Sequence, residues 1–196
     1  MSRLDRQVAF LNEACRLKSV LRGTTLCDGS RYENSAEHSW HLTLYALVLA
    51  DHAGPEVEID CVIKMLILHD LVEIDAGDNP IFGDFDQAAV AAQEQRAADR
   101  IFGLLPDDLR DELRAIWEEF EAAESPSAQF AKSLVRFQPP MQNLVSGGGS
   151  WTDYDVSEGQ IAERVGSKIA IGAPGLWDYA RGQISGFFRA QAAKNR

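Results

Sequence analysis

The residues with the most chemical potential are His69 and Asp70, which close an apolar run from Val62 to Leu68 broken only by Lys64, and His38, a second imidazole upstream. So greasy a segment carries an imidazole and a carboxylate into a core, where buried charge must be paired or bound to metal. Two borderline nitrogen donors and one hard oxygen donor suit a divalent ion such as Mn, Fe, Co, Ni or Zn. Adjacent helical residues point about 100° apart, so His69 and Asp70 share one ion only near a helix end, which Gly77 supplies. Glu73 falls three and four residues after the doublet, on the same helical face as both. Asp75 and Asp78 follow where the helix dipole disfavours negative charge, an unfavourable position that invites a functional reason.

Helices must position these groups, and the apolar spacing predicts them. Leu4, Val8, Leu11 and Cys15 repeat at helical intervals, giving a first amphipathic helix over about 3–21. A polar loop through Gly23 and Asp28-Gly29 ends at Asn34-Ser35-Ala36-Glu37, where a capping residue followed three positions later by Glu marks a helix start. The second helix is expected to send Trp40, Leu44, Leu47 and Val48 into a core. The third, from about Ile59 to Ala76, is apolar nearly all round and reads as a central buried helix. Further patterns cover 86–102, 107–120, 127–144, 158–169 and 176–193. No period-two strand is evident, so the fold class is all-α. Ser146-Gly147-Gly148-Gly149-Ser150 lacks the features of a phosphate loop and reads as a flexible connection.

The 196 residues, 45% of them hydrophobic and only 7 of them proline, fit one globular domain over 1–196. A net charge of −11 without a run of bases argues against a nucleic-acid polymer as partner. Cys15, Cys27 and Cys61 fit neither a disulfide framework nor a zinc finger. No stretch is apolar for long enough to span a membrane, and the charged start is no secretory signal. The expectation is a cytoplasmic protein without membrane contact.

The run Glu33-Asn34-Ser35-Ala36-Glu37-His38-Ser39, followed by His69-Asp70-Leu71-Val72-Glu73-Ile74-Asp75-Ala76-Gly77-Asp78, resembles the HD-domain metal-dependent phosphohydrolases, and within them the 5'-deoxynucleotidase group. The similarity extends from about Arg16 to Asn143. It implies an HD-domain helical bundle, commonly a homodimer, that takes phosphate from a nucleoside 5'-monophosphate with one divalent metal ion: Mn, Co, Fe, Ni, Zn or Mg. His38, His69 and Asp70 match the family's metal ligands. Glu73 matches the base or water-positioning group, Asp78 a proton donor or substrate contact, and Arg22 the phosphate-contacting arginine. Arg136 is a further substrate-binding candidate.

One departure stands out. The fourth ligand of the family, an aspartate, belongs at position 135, and here it is Val135. Valine cannot donate to a metal, so three protein ligands remain and the first shell loses a negative charge. His41, one turn beyond His38, reads as a packed or solvent-bonded residue rather than a substitute. Arg31 is a weaker phosphate candidate, and Lys132 reads as a solvated surface charge. Trp40, Trp117, Trp151 and Trp177 read as core or interface, with Trp151 nearest the glycine-rich segment. Two rival readings follow: a degenerate HD protein that binds metal or nucleotide with little turnover, and iron-dependent oxygen chemistry on two histidines and one carboxylate.

Overall fold

The computed structural model of the chain describes residues 1–79, 81–83 and 85–194. Helix α1 (Arg3–Ala14) starts at a reciprocal Ser2/Asp5 capping box and buries only Phe10. A 3-10 turn, Cys15–Ser19, then leads into an antiparallel hairpin of β1 (Leu21–Thr25) and β2 (Tyr32–Asn34). The hairpin corrects the expectation of a polar loop without strands. Asp28-Gly29 is its turn signal, and Gly29 takes a left-handed φ of 69°. The strands are too short and polar for their alternation to stand out in the sequence.

Helix α2 (Ser35–Val48) begins at Asn34, whose side chain accepts from the Glu37 amide while the Glu37 carboxylate accepts from the Asn34 amide, as the capping pattern predicts. Its orientation is the reverse of that expected. Ser35, His38, Ser39, Leu42 and Ala46 face inward, and Trp40, Leu44, Leu47 and Val48 face solvent. The inward stripe consists mostly of small and polar residues around a fully buried imidazole.

Helix α3 (Ile59–Leu68) is the central element, packed on α2 and on two later helices. It does not continue to Ala76. A 3-10 turn over His69–Val72 interrupts it, and α4 (Glu73–Ala76) ends at Gly77, with φ 74°. The tighter winding of a 3-10 turn falls on the His-Asp doublet itself.

The rest follows the sequence pattern closely: α5 (Gln87–Phe102), α6 (Asp107–Ala122), α7 (Pro126–Val145), α8 (Ser150–Asp153), α9 (Glu158–Ile161), a π turn over Ala162–Gly166, α10 (Ser167–Gly172) and α11 (Pro174–Lys194). Helix α7 runs between α3 and α10. Gly172 allows α10 to approach it, because a Cβ there would lie 2.3 Å from the Gln129 carbonyl oxygen. Ser146–Ser150 is a tight turn rather than a loose connection: Gly147, Gly148 and Gly149 all take positive φ, and the Gly148 amide donates to the Asn143 carbonyl.

Two apolar clusters result. One joins α2, α3, α7, α10 and α11 through residues such as Leu42, Leu66, Phe130, Leu134 and Ile184. The other joins Leu68, Leu71 and Val72 to Ile101, Phe102 and Trp117. His69 and Asp70 sit where the two meet, so both halves of the core fix them. Among the described residues no helix is long and apolar enough to cross a membrane.

Candidate functional site

His38 from α2 and His69-Asp70 from the 3-10 turn converge, each offering a donor atom within 4.8 Å of the others, and all three are buried. The two rings lie 5.7 Å apart. His69 Nδ1 faces the Leu66 carbonyl oxygen at 2.9 Å and must donate to it, which leaves a lone pair on Nε2. That Nε2 lies 3.0 Å from Asp70 Oδ1, yet it has no hydrogen-bond partner. Two acceptors at this distance repel unless a cation lies between them. Metal–nitrogen and metal–oxygen bonds of about 2.0–2.2 Å at a right angle give the same spacing.

His38 strengthens the fit. Both its ring nitrogens are buried and unpartnered, an unfavourable state for a polar group. Burial, helped by Arg22, holds its pKa well below the usual value, so the ring is neutral as a ligand must be. Glu33 stands behind it, with Oε2 3.3 Å from Nδ1 but outside hydrogen-bond alignment. A carboxylate behind a histidine is the usual arrangement for orienting a metal ligand. The residues present therefore fit a divalent ion on the chemistry of their donors and on three orphaned nitrogens.

Arg22 projects from β1 into this cluster. It lies 3.2 Å from Asp70, 3.5 Å from Asp78, 3.7 Å from Glu33 and 3.9 Å from Glu73. Burial opposes its charge, but these acids outweigh burial and hold the guanidinium above its ordinary pKa. Burial also pushes Glu73 well up, aided by Asp70 and Asp78, and it raises Asp78 and Glu33 against the pull of Arg22. Asp70 goes the other way and is held below the usual carboxylate range, with the Arg22 guanidinium 3.2 Å away opposing the effect of burial. Ser35 donates to Glu73 Oε2 at 2.6 Å, and the Gly23 amide donates to Asp78 at 3.3 Å.

A cavity of about 330 Å³ opens over His69, Asp70, Glu73 and Asp78, with Arg22 and Arg136 in its wall. Val135 lines the same wall, and His38 lies beneath it. The structure thus gathers His38, His69, Asp70, Glu73, Asp78, Arg22 and Arg136 in one place. His41 is elsewhere, with Nδ1 3.2 Å from Gln138 Nε2 and its ring edge-on to Tyr45. Arg31 pairs with Glu37 at the surface, and Asp75 pairs with Arg100. Lys132 corrects its expected role: it lies over the Phe120 ring and bonds Glu121 in the cavity wall. Among the tryptophans, Trp117 and Trp151 are buried, Trp177 covers Gly166 and Trp40 is exposed. Trp151 reaches the cavity.

Sequence reasoning assigned no role to Glu33 or Ser35, although both belong to the motif around His38. The signal that could reveal them is their place in the polar run Glu33–Ser39 that surrounds His38.

A profile of the HD domain family matches residues 14–177. This chain belongs to the HD domain family. The HD domain protein is 31% identical to human 5'-deoxynucleotidase HDDC2 over 134 residues, 68% of this chain and 64% of the human protein. A Klebsiella pneumoniae 5'-deoxynucleotidase is 23% identical over 172 residues, 83% of this chain and 84% of that one. The crystal structure of a predicted metal-dependent phosphohydrolase from Magnetospirillum magnetotacticum superposes with a TM-score of 0.89 at 41% identity, covering 96% of this chain and 97% of the other. The HD domain protein thus spans less than two thirds of the human relative's length.

Proposed function

We propose that this HD domain protein is a metal-dependent phosphohydrolase that releases phosphate from (deoxy)nucleoside 5'-monophosphates. The convergence of His38, His69 and Asp70 under a cavity walled by acids and guanidiniums carries this reading. The names of the human and Klebsiella relatives support the substrate class and favour turnover over a degenerate binding role. A cavity of about 330 Å³ falls within the size range of small-molecule sites.

His38, His69 and Asp70 would hold the cation, which when bound would polarise a phosphoryl oxygen and lower the pKa of water. Hydrolysis joins a water oxygen to phosphorus and expels the ester oxygen, which must gain a proton. Glu73, fixed by Ser35, orients the water and accepts its proton. Asp78 donates to the leaving oxygen, a role that its raised pKa suits. Arg22 and Arg136 offset the charge of the phosphate, which carries about two negative charges at neutral pH.

The chain acts as one domain over 1–196 and pairs as a homodimer through the outer face of α2. Trp40, Leu44, Leu47 and Val48 are 66%, 43%, 57% and 67% exposed, and no Asp, Glu, Lys or Arg occurs from His38 to Ala50. Ring contacts of 5.9, 4.9, 6.0 and 6.5 Å link Trp40 through His41, Tyr45 and Phe137 to exposed Tyr179. Five such side chains offer roughly 500 Å² of mostly apolar area, against about 800 Å² per partner in a standard interface. In a chain of net charge −11, an uncharged face is where a second copy meets least repulsion. A cytoplasmic setting accords with three free cysteines, two of them exposed.

Phosphate release from a panel of nucleotides with Mn, Co, Mg or Zn tests the reading. Release from 5'-monophosphates that a chelator abolishes is expected. No release with any ion, alongside calorimetric nucleotide binding, would support a degenerate protein, and oxygen consumption dependent on Fe(II) would support oxygen chemistry.

A further inference from the structure

The HD domain protein has an unusual charge balance around its metal position. Of the three converging donors only Asp70 is an anion, so a divalent ion held there keeps a positive charge. Position 135, in the cavity wall with His69 and Asp70, is an aliphatic side chain with no donor. Its neighbour Arg136 lines the same wall, and among the described residues it forms no ion pair with a carboxylate. Arg22 differs, since four carboxylates already surround it. The carboxylates that act on Arg136 are already engaged: Glu121 from α6 is bonded to Lys132, and Asp70 and Asp78 lie against Arg22. One cavity wall would therefore hold a cation short of an anionic ligand and a guanidinium with no carboxylate of its own.

Resting on the metal-dependent reading above, we propose that a phosphate-class anion gripped by Arg136 takes the ligand position Val135 leaves open, so that cation and phosphate bind this chain as a coupled pair. The cation is then a companion of the substrate more than a resident of the free protein. An anion that binds both positive groups must raise the affinity of each for the site, and the coupling is reciprocal: metal strengthens phosphate by the factor by which phosphate strengthens metal. Replacement of Val135 by a carboxylate removes the need for the anion. Loss of Arg136 removes its grip.

The test is Mn(II) titration of the full chain by calorimetry and electron paramagnetic resonance, without anion, with inorganic phosphate, and with a non-hydrolysable phosphonate analogue of a deoxynucleoside monophosphate. The expected result is a tightening of Mn(II) binding by about 10-fold or more with either anion, within the usual range of coupling; the anion with the larger effect identifies the physiological companion. Val135→Asp should bind Mn(II) tightly without anion and gain less than about 3-fold from it. Arg136→Gln should lose most of the anion effect. A wild-type Mn(II) affinity that neither anion changes by 2-fold overturns the coupling while leaving the metal site intact. Absence of Mn(II) binding under every condition overturns the metal-dependent reading as well. The wild-type comparison and Arg136→Gln decide the matter even if Val135→Asp fails to fold.

Discussion

Arg22→Met removes the one guanidinium that touches all four acids of the site. The Arg22 side chain is 12% exposed, and those of Glu33, Asp70, Glu73 and Asp78 are 2%, 9%, 12% and 10% exposed, so water screens none of the pairs strongly. Breaking a buried pair by deleting one partner costs about 3–5 kcal/mol, because the other charge is left uncompensated. The lower end applies where an acid can discharge itself by taking up a proton. Glu73, Asp78 and Glu33, with raised pKa values, have that escape, while Asp70 lies below the usual range and does not. At about 2–4 °C per kcal/mol for a domain of this size, the midpoint should fall by about 6–20 °C. The assay is urea and thermal denaturation in chelator, followed by circular dichroism, with and without Mn(II). Arg31→Met, which removes an exposed and solvent-screened pair with Glu37, is the control and should barely move the midpoint. Saturating Mn(II) should recover part of the Arg22→Met loss, since the cation neutralises the same acids. A loss no larger than that of Arg31→Met would refute the view that Arg22 balances the cluster.

Further outcomes follow from the same geometry. Glu73→Gln should abolish phosphate release yet raise the stability of the metal-free protein at neutral pH, because it removes a buried carboxyl whose ionisation burial disfavours. The sign is set by linkage: the folded pKa lies above the ordinary 4.5, so the carboxyl costs stability as pH rises from 4.5, and the cost is complete above the folded pKa. The advantage of the Glu73→Gln variant in urea melts should therefore shrink as pH falls toward 4.5, and an advantage that grows on acidification would contradict it. If the proposed α2 interface forms, the wild-type chain should sediment as a dimer in analytical ultracentrifugation and Trp40→Glu combined with Leu47→Glu as a monomer, with an unchanged far-ultraviolet spectrum. A wild-type chain that sediments as a monomer at tens of micromolar would remove the proposed α2 interface.

Much of the site is legible in the sequence because its elements announce themselves locally. The Asn34/Glu37 capping box places His38 one turn into α2, and the apolar run ending at Leu68 delivers His69 and Asp70 to the core. Long amphipathic helices such as α5, α6 and α7 follow their periodicity to within a few residues. The face of α2 does not, because apolar periodicity reports which side avoids water without saying what covers it; Trp40, Leu44, Leu47 and Val48 satisfy the pattern while pointing outward. The 3-10 turn at His69–Val72 has no composition signal, since the same apolar residues suit either winding. Lys132 looks like a surface base until α7 is seen to form the cavity wall, which it shares with Arg136. The saturation of Arg22 by four acids depends on a hairpin that brings β1 next to α4, a contact between distant parts of the chain.

The most direct measurement is the position and number of metal ions in crystals grown with Mn(II) and inorganic phosphate, located by anomalous diffraction and counted by elemental analysis. One ion per chain, bonded to His38, His69 Nε2 and Asp70 with phosphate beside Arg136, is the predicted result. An active protein whose ion binds elsewhere, with those three side chains unliganded, would contradict it.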